Sequence, residues 1–279
     1  MNINYLKSLK LLSRDIYSEI IADKLEVAKE CLKQQFNTPA QIASCYIDDL
    51  LNETDVNNIY KAFPKKQDML MLNDWREYKY VGIQINKYSP VISEIIYAFQ
   101  HPKVVKLVSE ITGLEQLYPD EYLYAGGISL MDKGCFLNPH LDNSHDKDRD
   151  KYRVLNLLYY VSPDWRLEYG GNLELWDNGL KNQCRTIHSK FNRLVIMVTN
   201  KTSLHSVSKV NHDGKRCCVS NYYFSNQPAD SQQYFHVTSF RGRPDEKLRD
   251  VILQGDAMLR NGIRKVFKHG IKKPHYYRK

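Results

Sequence analysis

His140, Leu141 and Asp142 form an H-x-D triplet. On an extended segment the side chains at i and i+2 emerge on one face, so an imidazole and a carboxylate can reach the same ion. A third ligand must come from another strand. His205 is placed to supply it, because it follows the strand-like run 193–199 and precedes a β-rich segment. Two imidazoles and one carboxylate on one face of an octahedron leave three positions open on a non-haem Fe(II). The triplet alone also fits a turn-capping Asp beside a surface His. Arg216 stands eleven residues after His205, and on one strand Arg216, Cys218 and Ser220 would share a face. They would offer a guanidinium and a hydroxyl to the same cavity. A guanidinium grips a dicarboxylate in a fork that lysine cannot reproduce, although a surface ion pair is the plainer use of a lone arginine.

Such residues need separate strands brought together, and the sequence beyond Pro119 has the texture for it. Short apolar runs rich in β-formers occur at 127–131, 154–161, 173–176, 194–199 and 217–224. Turn formers part them, among them Asp132-Lys133-Gly134, Gly170-Gly171 and Asp213-Gly214. Many short strands with frequent turns predict a sandwich or jelly-roll barrel. The first third reads helical, with Leu9, Leu12, Ile16, Ile20, Leu25 and Leu32 at helix-like spacing. Asp55 can cap a short helix through Val56, Ile59 and Phe63 that Pro64 ends. Further helices are predicted over 90–99 and 103–111, and a last one around 247–259. The expected organisation is a single domain over 1–279: a mainly helical support layer at 1–118, a catalytic jelly-roll core at 119–243 and a helical basic tail at 244–279.

The 279 residues carry 40 Lys and Arg against 32 Asp and Glu. That excess is local, since eight basic residues and no acidic one lie from Ala257 onward. A solvated basic tail is the plain reading of 257–279, and weak contact with an anionic surface is the alternative. No zinc-finger spacing, RNA-binding aromatic signature or Gly-rich phosphate loop accompanies it, so nucleic acid is not expected as a partner. No apolar run approaches the roughly 20 residues needed to span a bilayer. The start MNINYLKSLK lacks a signal-peptide core, and the six cysteines are scattered without a CxxC pair. A reduced, cytoplasmic setting is the expectation.

The stretch from His140 to Ser225 resembles the catalytic core of the Fe(II)/2-oxoglutarate-dependent dioxygenases, in their prolyl 4-hydroxylase-like branch. The likeness is ordered along the chain. After His140-Leu141-Asp142 come Leu158-Tyr159-Tyr160-Val161, Gly170-Gly171-Asn172-Leu173-Glu174-Leu175 and Phe191-Asn192-Arg193-Leu194-Val195. His205-Ser206-Val207 and Arg216-Cys217-Cys218-Val219-Ser220-Asn221-Tyr222-Tyr223-Phe224 complete it. The resemblance implies an α+β chain whose core is a double-stranded β-helix, jelly-roll or cupin-like, with supporting N-terminal helices. It implies that His140, Asp142 and His205 hold the catalytic iron and that Arg216 pairs with the distal carboxylate of 2-oxoglutarate. Tyr160 would donate its hydroxyl to that carboxylate, Ser220 would lie near the co-substrate and Leu173 would wall its pocket. Tyr222 falls where the family often places an aromatic beside the substrate channel. In a chain with 20 Tyr, Tyr160 and Tyr222 could equally be core packing.

Fe(II), with 2-oxoglutarate and O2 as co-substrates, is the implied cofactor set. The implied reaction is hydroxylation of an unactivated C–H in a peptidyl or free amino acid, proline-like, with release of succinate and CO2. Relatives acting on sugars, lipids or other small molecules provide the alternative, and a catalytically silent binding barrel is the remotest. His145, a loop residue at the rim, and Trp75, in the aromatic-rich stretch 75–88, are further candidates for the substrate pocket. One feature departs from the prolyl hydroxylases, which place a tyrosine about ten residues before the first iron ligand. Here that region reads Ile128-Ser129-Leu130-Met131, so that either Tyr124 or another residue substitutes or the contact is absent.

Overall fold

The computed structural model describes residues 12–124, 126–230, 232–266 and 276–277. Helix α1 (Arg14–Phe36) opens at Ser13, whose hydroxyl accepts from the Ile16 amide. It buries Tyr17, Ile21, Leu25 and Leu32, a helical stripe that faces the core. The predicted turn around Leu9 lies outside the described residues. Helix α2 (Glu53–Ala62) is capped by Asn52, not by Asp55: the Asn52 side chain accepts from the Asp55 amide at 2.9 Å. Asp55 sits in the first turn, where its charge still suits the helix dipole. Helices α3 (Pro90–Ala98) and α4 (Pro102–Thr112) each begin with proline, whose missing N–H costs nothing there. Gly113 ends α4 at a φ of 71°, a conformation that favours glycine.

The strands run, in chain order, β1 (Ser44–Ile47), β2 (Leu70–Asn73), β3 (Glu77–Gly82), β4 (Tyr118–Pro119), β5 (Gly127–Met131), β6 (Phe136–Leu141) and β7 (Tyr152–Tyr160). Then follow β8 (Leu173–Leu175), β9 (Arg185–Ile187), β10 (Arg193–Val198), β11 (His205–Val207), β12 (Arg216–Ser225) and β13 (Ser239–Phe240). They join in one curled antiparallel sheet of order β1-β10-β7-β12-β5-β3-β6-β11-β8-β9. β2 is added to β3, β4 to β12 and β13 to β6. The five apolar runs read from the sequence coincide with β5, β7, β8, β10 and β12 to within two residues. Besides its helices, the layer expected at 1–118 holds β1, β2 and β3, and β3 sits inside the sheet between β5 and β6.

Side-chain alternation along β7 and β12 divides the molecule. Tyr159 and Tyr223 point toward the helices, where Tyr159 packs on Phe99 and the Tyr223 hydroxyl donates to the Phe99 carbonyl. Asn156, Leu158, Arg216, Cys218, Ser220 and Tyr222 point the other way, into a cavity. Gly170 is structural: at a φ of 75°, a Cβ there would lie 2.0 Å from the Lys209 carbonyl oxygen.

The tail expected to be helical at 244–279 is described only in part. Helix α5 spans Lys247–Val266, and residues 267–275 lie outside the described residues. Tyr276 and Tyr277 return to the body, where Gln84 donates to the Tyr276 carbonyl at 2.9 Å and the Tyr277 amide to the Tyr122 carbonyl at 2.7 Å.

Candidate metal centre

Antiparallel pairing of β6 with β11 makes His140 and His205 direct register partners. Asp142 lies just beyond the end of β6. Its Oδ1 is 3.6 Å from His140 Nε2 and its Oδ2 is 3.7 Å from His205 Nε2. One ligand atom from each side chain falls within 4.8 Å of the other two. His140 Nδ1 lies 2.9 Å from the Asn138 carbonyl, and His205 Nδ1 lies 2.9 Å from that of Ser203. A carbonyl only accepts, so both Nδ1 atoms carry the proton and both Nε2 atoms present bare lone pairs toward Asp142. Phe240 of β13 stacks on His140 at 5.0 Å and fixes the ring from behind.

Electrostatics keep His205 and Asp142 in their metal-binding forms. Burial pushes the His205 pKa down to about 4, with His140 acting in the same direction, so the ring is neutral near pH 7. Burial alone would raise Asp142. Arg153, with Nη1 3.4 Å from Asp142 Oδ1, opposes it, and the carboxyl is held well below its ordinary range. Asp142 Oδ2 is nevertheless buried with no hydrogen-bond partner. A buried orphan acceptor facing two lone pairs is unfavourable as it stands and is relieved by a divalent cation. Two nitrogens and one oxygen, open on one side, suit a non-haem Fe(II).

The triad opens into a cavity of about 280 Å³. Arg216, Ser220, Leu173 and Tyr222 all line it. Arg216 is 3% exposed and forms no ion pair among the described residues. Its Nη1 meets only the Met131 sulfur, at 3.7 Å, and its Nε has no partner. A buried cation without a counter-charge calls for an anionic ligand. Tyr160 is fully buried on the same strand face but behind the wall, its ring 4.7 Å from the guanidinium carbon. Its hydroxyl is unpartnered, and burial pushes its pKa up to about 12 against the opposing pull of Arg216, so it remains a donor.

Two candidates are not brought to this cavity. His145 forms an isolated bridge with Tyr152 and packs on that ring at 4.4 Å. Trp75 is 59% exposed. Tyr124 does line the cavity, while the 128–131 segment contributes Ile128, Ser129 and Met131 instead of a tyrosine. Arg153 was missed by sequence reasoning. It is buried and stacks over the Tyr222 ring at 4.3 Å. The β7–β12 register slips between Leu155 and Arg153, and this bulge turns Arg153 toward the side that strict alternation assigns to Asn156 and Leu158. No local signal announces such a slip.

Residues 126–224 match the family model described as the 2OG-Fe(II) oxygenase superfamily, a span holding all three triad residues and Arg216. The matched segment is similar to the core of the 2OG-Fe(II) oxygenases and covers less than half of the chain. Solved structures share its double-stranded β-helix fold. A prolyl-4-hydroxylase from Pseudomonas putida aligns with a TM-score of 0.51 and 13% identity, over 70% of this chain and 98% of that one. A prolyl 4-hydroxylase from Phytophthora capsici gives 0.52 and 18%, over 81% of this chain and 72% of that one. SnoK, a non-haem α-ketoglutarate-dependent carbocyclase from nogalamycin biosynthesis, gives 0.52 and 13%, over 79% and 88%. At these identities the likeness is one of fold. No curated protein matches the chain in sequence. Among the described residues no helix is long and apolar enough to cross a membrane.

Proposed function

We propose that His140, Asp142 and His205 hold Fe(II), that Arg216 anchors 2-oxoglutarate, and that the enzyme hydroxylates an unactivated C–H of a peptidyl or free amino acid of proline-like shape. The observation that carries this reading is the uncompensated Arg216 guanidinium, buried in the same cavity as the orphaned Asp142 oxygen. When bound, Fe(II) with 2-oxoglutarate and O2 supplies the oxidising power to break a C–H bond, with succinate and CO2 as the other products.

The chain's own residues bind and orient. The Nδ1 bonds to Asn138 and Ser203 hold the two rings with Nε2 forward. Arg216 offers a fork to the distal carboxylate, and Tyr160 and Ser220 offer hydroxyls beside it. Leu173 and Leu158 exclude water from that part of the wall. Val81, Ile83, Tyr124 and Tyr222 form an apolar and aromatic border suited to a small saturated ring. No general base is required of these residues, because the reaction breaks the C–H bond oxidatively.

A small-molecule substrate is the second reading, favoured by the fold shared with a carbocyclase of nogalamycin biosynthesis. The test is incubation of the Fe(II)-loaded chain with 2-oxoglutarate and O2 against prolyl peptides, free amino acids, sugars and lipids. Mass spectrometry would follow one added oxygen, with succinate measured in parallel. Stoichiometric succinate and oxygen gain on a prolyl peptide or free amino acid supports the first reading. Coupled turnover only with another class replaces it by the second.

A further inference from the structure

Helix α5 turns Leu253 and Ala257 inward together with a set of polar anchors. Asp250 receives a fork from Arg241 at 2.7 and 2.9 Å, and Asp256 pairs with Arg76 at 3.2 Å. Arg260 donates to the Thr238 carbonyl at 2.8 Å, and the Asn261 side chain accepts from the Val237 amide at 3.0 Å. Leu248, Val251, Ile252, Met258 and Leu259, by contrast, are between 45% and 76% exposed. Their spacing of three, four and seven residues sets them on one stripe opposite the anchors. A surface helix ordinarily buries such a stripe. Here four polar attachments prevent the helix from rolling to do so, and a continuous exposed apolar stripe marks a contact surface.

Charge selects the occupant. From Ala257 onward the chain has eight basic residues and no acidic one, so the stripe is followed directly by the whole basic excess of the protein. Anionic lipid meets both features, taking the apolar stripe at the headgroup–acyl boundary and the cations among its phosphates. A second copy of the chain fits less well. One helix face of five side chains presents a few hundred Å², against about 800 Å² per partner in a standard stable interface. Pairing would also bring two basic segments together.

We propose that α5 is an interfacial helix that seats this protein on an anionic membrane surface, with the cations beyond Arg260 supplying the attraction. The contact is peripheral. It rests on α5 and the sequence that follows, and stands or falls apart from the reaction assigned to the cavity.

The experiment is co-sedimentation of the full chain with phosphatidylcholine vesicles, with and without phosphatidylglycerol, at low and raised salt. Binding is expected only to the phosphatidylglycerol-containing vesicles and is expected to weaken with salt. The double substitution Val251→Glu and Met258→Glu should lower it by roughly tenfold or more. Lys272→Gln with Lys273→Gln should also lower it by roughly tenfold and flatten its salt dependence. Val251 and Met258 are exposed, so an unchanged thermal melt will verify that the first variant is folded. Equal binding to both vesicle types, or binding that the glutamates leave intact, overturns the proposal. So does a concentration-dependent dimer in sedimentation velocity that the glutamates dissolve, which would assign the stripe to a second copy.

Discussion

His140 and His205 lie directly opposite each other across β6 and β11, with ring centroids 4.1 Å apart. Two rings this close, both aimed at one carboxylate, form a ligand set whose spacing is fixed by the sheet and not by a flexible loop. Asp142→Ala or His205→Ala is therefore expected to weaken Mn(II) binding more than roughly 100-fold, beyond what loss of an outer-sphere contact costs. Manganese EPR or calorimetry on the metal-depleted chain will measure it. Undiminished affinity in either variant would remove that residue from the ligand set.

Arg216 lacks any carboxylate partner of its own, which separates two effects that usually mix. Arg216→Ala should leave Mn(II) affinity within a few-fold of the parent while weakening 2-oxoglutarate by about 100-fold, the worth of roughly 2–3 kcal/mol in charge-assisted hydrogen bonds. Arg216→Lys should recover only part of the loss, because an ammonium cannot fork. Fluorescence titration of the Mn(II)-loaded protein with 2-oxoglutarate will decide. An unchanged dissociation constant would pass the anchoring role to another residue.

Much of this was legible in the sequence, and the gaps have physical causes. Apolar runs gave β5, β7, β8, β10 and β12 because these strands bury both faces or alternate cleanly. β3 escaped because Glu77, Lys79 and three tyrosines or small residues give it no apolar run, although it lies between β5 and β6. Asp142 was readable beside His140 because i and i+2 share a face. The partnership with His205 depends on a long-range pairing that local spacing cannot dictate. Arg153 was hidden by a bulge that reverses its face. The apolar spacing of α5 was visible, but its outward mounting depends on Arg241, Arg76 and backbone groups distant in sequence.

The fork between Arg241 and Asp250 gives α5 a pH dependence. The Arg241 hydrogen bonds hold the Asp250 pKa below its ordinary value despite the opposing effect of burial. A carboxylate with a depressed folded pKa contributes stability that is present above its unfolded value near 3.9 and is lost as the pH falls through the folded value. Amide exchange in 247–266 should therefore accelerate below about pH 4 relative to that in β7 and β12. Asp250→Asn should show faster exchange in α5 already at neutral pH and lack that acid-dependent step. Identical exchange in the variant and the parent would show that the fork does not hold the helix.

Gly170 provides a test of the fold that does not touch the cavity. Any side chain there combines a φ of 75° with a Cβ 2.0 Å from the Lys209 carbonyl oxygen, and backbone cannot yield as a flexible side chain can. Gly170→Ala is expected to cost about 3 kcal/mol or more, read as a lowered denaturation midpoint with an unchanged slope. A variant as stable as the parent would mean that the β8 entry is looser than its geometry.

Tyr160 distinguishes a packing residue from a co-substrate residue by opposite signs. Its hydroxyl is buried without a partner, so the chain without 2-oxoglutarate bears the desolvation cost of that group and gains nothing in return. Removing only the oxygen, in Tyr160→Phe, keeps the ring beneath Arg216 and should leave the ligand-free protein equally stable or more stable by about 1 kcal/mol. If the hydroxyl meets the distal carboxylate, the same change should weaken 2-oxoglutarate by roughly tenfold or more, the loss of one hydrogen bond to a charged group. Pure packing predicts no change in affinity, and loss of a necessary core contact predicts destabilisation without selectivity for the ligand. Thermal unfolding with and without 2-oxoglutarate on the Mn(II)-loaded protein reads both quantities in one measurement. A variant more stable alone yet less stabilised by 2-oxoglutarate fits only a donor held ready for that carboxylate.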